Sequence, residues 1–99
     1  MNEFQQKMLN KIIAGQNLTK FELKELTQVY SIRETSKHET PICINKNSIV
    51  QLGNKHFAID WYLVPTSFGF GIYECRFLHQ PYEVKPVEKN NTVEYWVKI

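Results

Sequence analysis

The stretch Val50-Gln51-Leu52-Gly53-Asn54-Lys55-His56-Phe57-Ala58-Ile59-Asp60-Trp61-Tyr62-Leu63 decides the fold. Gly53-Asn54 is a two-residue breaker between two runs of strand-forming residues, which is the pattern of a β-hairpin. Closing the chain at that turn pairs Leu52 with Lys55, Val50 with Phe57 and Ser48 with Ile59. The second arm then alternates. Phe57, Ile59, Trp61 and Leu63 share one face; His56, Ala58, Asp60 and Tyr62 share the other. The hairpin spans residues 42–52 and 55–63.

Upstream the period changes from two to that of a helix. Phe4, Met8, Leu9, Ile12 and Ile13 form one apolar stripe over residues 3–14, and Gly15 supplies a stop. Thr19 and Glu22 have the spacing of a capping box, with Leu18 and Leu23 as its hydrophobic staple. A second helix over residues 20–28 follows, burying Leu23 and Leu26 and partly covering Phe21. Two helices this short cannot form a core alone and must pack on the sheet.

The remaining chain is read as strands and breakers. Residues 29–33 form a short strand, and the polar residues 34–41 an exposed loop. Residues 64–71 form an apolar loop broken by Pro65, Gly69 and Gly71. Residues 72–78 alternate, with Tyr73, Cys75 and Phe77 on one face. Gln80-Pro81 breaks the run. Residues 82–88 contain Pro86 and therefore belong at a sheet edge. Asn90-Asn91 is a second hairpin turn. In the last strand Val93, Tyr95, Val97 and Ile99 face one way, and Glu94, Trp96 and Lys98 the other. The expected class is α+β: two N-terminal helices packed on one face of a sheet of four to six antiparallel strands. Residues 1–99 read as a single domain, helical over 1–28 and sheet over 29–99.

Composition bounds the function. The chain has 99 residues, 42% apolar and 22% charged, which excludes a disordered tail or a fibrous rod. The net charge of +2 is too small for a nucleic-acid footprint. Arg33 and Arg76 are the only arginines, and Arg is the usual reader of phosphates and guanine edges. No apolar run is long enough for a signal peptide or a membrane span, so a cytoplasmic protein is expected. Cys43 and Cys75 do not amount to a disulfide framework.

Chemical motifs are sparse. His38, Cys43, His56, Cys75 and His79 are the candidate metal ligands, but no paired ligands stand at zinc spacing. Ser67 lies outside any nucleophile elbow, and the Ser67–Gly71 segment lacks the Lys-Ser/Thr of a phosphate loop. No enzyme activity and no cofactor is expected. Asp60 stands out instead. It is the only Asp, and it sits within a strand, where Asp is disfavoured. Thirteen aromatics exceed what so small a surface should expose. Tyr62, Tyr82 and Trp96 fall on the phase of their strands that turns away from the core. These three form a candidate binding face, with Asp60 and Arg76 setting orientation. A second copy of the chain covering that face, a homo-oligomer, is the competing expectation.

A resemblance adds a context. Phe57-Ala58-Ile59-Asp60-Trp61, with Gln80-Pro81-Tyr82-Glu83-Val84 about twenty residues later, resembles a family of short phage and prophage proteins of low-GC Gram-positive bacteria, a family with no assigned activity. The segment Leu18-Thr19-Lys20-Phe21-Glu22-Leu23-Lys24-Glu25-Leu26 is similar to the helix start of those proteins. The likeness covers about half the chain. It departs between Leu63 and His79, where the family carries an acidic stretch and this chain an apolar one. The abundance of Lys, Asn and Ile, whose codons are AT-rich, agrees with a low-GC source. The resemblance implies a mobile-element accessory role and brings no site residue. The expected function is therefore a non-catalytic accessory protein that binds and modulates a host protein, such as a defence complex, in the host cytoplasm. The alternatives are a nucleotide-signal binder, walled by loops 34–41 and 64–71, and a nucleic-acid-binding regulator using Lys-bearing helix faces.

Overall fold

The computed structural model describes residues 1–40, 43–67 and 71–99. Helix α1 (Glu3–Ile13) starts at Asn2, whose side chain accepts the Gln5 amide while Gln5 reaches back to the Asn2 amide. At its other end Gly15, at φ 73°, turns the chain out of the helix. Helix α2 (Lys20–Val29) starts with the expected capping box between Thr19 and Glu22. Glu22 also receives Lys11 Nζ at 2.6 Å, which ties the two helices together. Burial pushes the Glu22 carboxyl up. Its hydrogen bonds to Lys11 and Thr19 and the Lys11 charge more than offset this and hold it below the usual value. A carboxyl lowered on folding stabilises above its unfolded pKa, and that contribution is lost as pH falls through the folded value. Glu22→Gln is therefore expected to cost about 1 kcal/mol at neutral pH and almost nothing in strong acid. Urea melts at neutral and acid pH check this; an equal cost at both contradicts it.

The strands are β1 (Ser31–Thr40), β2 (Cys43–Leu52), β3 (Lys55–Pro65), β4 (Tyr73–Arg76), β5 (Tyr82–Lys89) and β6 (Thr92–Lys98). All are antiparallel, in the order β1-β2-β3-β5-β6, with β4 also on β3. The β2–β3 hairpin has the predicted register, Leu52 with Lys55, Val50 with Phe57 and Ser48 with Ile59. The outer edge of β3 is divided. Its start, His56–Ala58, pairs with β5, and its end, Tyr62–Pro65, pairs with β4.

The core lies between the helices and one sheet face. Met8, Leu9, Leu18, Leu23 and Leu26 meet Val50, Leu52, Phe57, Ile59 and Trp61. Each such side chain stabilises by roughly 1.5–3 kcal/mol relative to exposure. Gln80 reinforces this layer by bonding both the amide and the carbonyl of Leu18.

Three expectations are corrected. Residues 34–40 are not a loop but most of β1, paired with β2 from Arg33 to Thr40. Polar residues such as Arg33 and Glu34 suit this edge strand, where they discourage further pairing. The strand 82–88 is not at the sheet edge, because β5 lies between β3 and β6. Pro86 is tolerated there because β3 pairing stops at Val84, leaving no ladder bond for its missing N–H. Phe21 is 85% exposed rather than partly covered, since it projects from the outer side of α2. Pro41 and Ile42 of the expected first loop and strand, and residues 68–70 of the second loop, lie outside the described residues.

Candidate functional site

Residues directly opposite each other on paired strands share a face. Tyr62 faces Arg76, Ala58 faces Tyr82, Val84 faces Lys98 and Pro86 faces Trp96. Asp60, Tyr62, Arg76, Tyr82 and Trp96 therefore all emerge on the sheet face away from the helices. The sheet curls on that side into a groove of about 540 Å³. Buried Ile49, Ala58 and Val84 form its floor, backed by Tyr82 and Trp96. Arg33 from β1 and Lys98 from β6 stand on opposite sides.

Asp60 organises the middle of the groove. Asn47 Nδ2 donates to its Oδ1 at 2.8 Å, and the Tyr82 hydroxyl donates to its Oδ2 at 3.0 Å. The carboxylate thus holds two neighbouring strands' side chains in fixed positions. Burial raises the Tyr82 phenol above its ordinary value, and the charge and hydrogen bond of Asp60 raise it further. Tyr82 is therefore a neutral donor at physiological pH. Its ring has Lys98 Nζ 5.5 Å from the centroid, a cation–π contact. Trp96 packs its ring against His56 at 4.8 Å. Its indole N–H is buried and has no hydrogen-bond partner among the described residues.

The other predicted residues lie further along the same face. The Tyr62 hydroxyl is 3.4 Å from His79 Nε2, and Arg76 pairs with Glu74 at 3.4 Å. Tyr62 and Arg76 line a separate shallow depression with Val64 and Leu78. The structure thus brings Asp60, Tyr82 and Trp96 together and sets Tyr62 and Arg76 beside them. Asp60 borders the groove and also a small cleft shared with Tyr62 and His79, which links the two halves.

Sequence reasoning missed Asn47, Arg33 and Lys98 as groove residues. Asn47 was within reach, because the hairpin register sets it opposite Asp60. Arg33 was not, because its placement depends on β1 being long. The proposed ligand walls also change: loop 34–41 is largely β1, which supplies Thr35 to the groove.

Among the described residues no three His, Cys, Asp or Glu side chains converge as a metal would require. Cys43 and Cys75 lie on opposite sheet faces and are not joined by a disulfide; Cys43 is near Asn45 and Cys75 near Gln28 of α2. Among the described residues no helix is long and apolar enough to cross a membrane. No family model, curated protein or solved structure matches the chain.

Proposed function

We propose that the protein is a non-catalytic binding protein, and that the groove face is where it holds another protein. The observation that carries this reading is the gathering of Asp60, Tyr62, Arg76, Tyr82 and Trp96 on one open sheet face, opposite a core already closed by the helices. The face has the make-up of an interface: aromatic anchors, a prepositioned carboxylate and cations at the sides. The resemblance to phage proteins supports a bacterial host protein as the partner and occlusion of its working surface as the mechanism, for example in a defence complex.

The test uses Tyr62 and Arg76, which anchor no core. Protein carrying a photo-cross-linking residue at Tyr62 is expected to capture one host protein that the same residue at Phe21 does not. Against that captured protein, Tyr62→Ala with Arg76→Ala should lose roughly tenfold or more in affinity, an anchor-residue effect. Thermal unfolding should move little, as for other partly exposed positions. Equal capture from both sites, or undiminished affinity, sinks the reading.

The groove volume favours a second reading, a small ligand of nucleotide size, since such sites typically occupy about 300–1,000 Å³. Native mass spectrometry of protein from its natural host separates the two. A retained small mass that vanishes in Trp96→Ala favours the ligand.

A further inference from the structure

The two edges of the sheet differ. Among the described residues β1 pairs only with β2 and is defended: its ladder skips at two places, and it carries Arg33 and Glu34. Such bulges and charges prevent another strand from adding. Among the described residues β6 pairs only with β5, and its ladder skips once, at Glu94. Its sequence, Thr92-Val93-Glu94-Tyr95-Trp96-Val97-Lys98, consists mainly of strong strand formers. Tyr95 within it and Ile99 just after it are 52% and 67% exposed.

The hydrogen-bond phase shows which groups the open edge presents. The Ile99 amide donates to the Glu83 carbonyl, so Ile99 and, two residues back, Val97 direct their backbone groups towards β5. Trp96 and Lys98 therefore direct theirs outward. Trp96 also faces Pro86, which has no N–H to offer.

We propose that β6 is a self-docking edge: two copies of the chain join there, β6 against β6 and antiparallel, about a twofold axis at Trp96. An isologous pair must be self-complementary, and this register is. It sets Trp96 against Trp96 as an outward hydrogen-bonded pair. Glu94 of each copy meets Lys98 of the other, and both side chains lie on the groove side of the sheet. Tyr95 meets Val97 on the other face. Centring the pair on Tyr95 or Val97 instead loses both charge pairs. The dimer continues the sheet across the axis and sets the two grooves side by side with both still open. This differs from a copy covering the aromatic face, and it does not rest on the groove's function.

Charge exchange at two exposed positions of the full chain tests it. Purified wild-type protein is followed by sedimentation across a wide concentration range, and its mass should rise from one chain to two. Glu94→Lys and Lys98→Glu each turn two attractive pairs into two repulsive ones. The dimer should weaken at least roughly tenfold in either variant. A mixture of the two variants restores both pairs, so a heterodimer should form although neither variant dimerises alone. Far-ultraviolet circular dichroism identifies any variant that fails to fold, and the double variant E94K/K98E should then dimerise like wild type. Wild type that stays monomeric throughout, open-ended growth instead of a stop at two, or variants that do not recover on mixing would each overturn the proposal. None of these readouts involves a host partner, so they leave the groove reading standing or falling by its own test.

Discussion

Trp61→Ala should destabilise the protein by about 4 kcal/mol, the largest effect of any single substitution considered for this fold. The side chain is 4% exposed. It stacks on Phe77 with ring centres 5.6 Å apart and packs into the cluster that Met8, Leu23 and Leu26 build from the helices. Its indole N–H donates to Ser48 Oγ at 2.9 Å, and Ser48 is itself wholly buried. Truncation therefore opens a cavity and also strands a buried hydroxyl, a loss of about 1 kcal/mol or more. Set against the 5–15 kcal/mol typical of small domains, roughly half of the stability goes. The midpoint of thermal unfolding should fall by roughly 15–30 °C for a chain of this size. Trp61→Phe keeps most of the ring and should recover more than half of that loss. Trp96→Ala, at a half-buried ring on the opposite face, should cost clearly less. A Trp61→Ala protein that melts within a few degrees of wild type would show that α1 and α2 do not rest on this part of β3.

The contrast between the two tryptophans reflects what the sequence makes legible. A strand's side chains alternate, so one secure register assigns every residue of the strand to a face. Gly53-Asn54 supplies that register, and with it the helix-facing row from Phe57 to Leu63 and the groove-facing row from His56 to Tyr62. Asn90 and Asn91, both at positive φ, supply a second anchor for β5 and β6. Local signals of this kind also place both helices. They say little about which strands become neighbours across the sheet, because that choice depends on contacts far apart in sequence. Nothing in residues 55–65 announces that β3 will serve β5 with one end and β4 with the other. Residues 34–40 were hidden for a different reason. An edge strand with polar residues on both faces has no apolar alternation, and only its backbone pairing with β2 makes it a strand. The groove depends on that strand for one wall, so its shape was out of reach although Asp60, Tyr82 and Trp96 could be placed on the face that carries it. Phe21 shows the converse: an apolar residue in a helix need not be inside.

Asp60 offers the second large effect, because it acts on stability and on the site together. Asp60→Ala leaves the Asn47 amide and the Tyr82 hydroxyl without the acceptor each now uses. For partly buried donors this should cost about 1–3 kcal/mol. Asp60→Asn keeps the shape but offers one acceptor oxygen where two donors converge, so an amide group must face one of them. It should cost less than Ala yet still release Tyr82. The phenol reports the change directly. Its pKa is raised by burial first and by Asp60 second, so removing the carboxylate should lower it towards 10.0, with the burial contribution remaining. The sign for stability follows. The folded phenol keeps its proton where the unfolded chain has begun to lose it, so wild-type stability falls as pH climbs above 10.0. That alkaline loss should be shallower in Asp60→Asn and absent, as far as this group is concerned, in Tyr82→Phe. Ultraviolet difference titration of the tyrosines, with urea melts on both sides of the transition, measures both quantities. If the slowest-titrating tyrosine of wild type is unmoved by Asp60→Asn, the carboxylate does not hold Tyr82. The groove would then lack the fixed polar centre that the proposed binding role assigns to it.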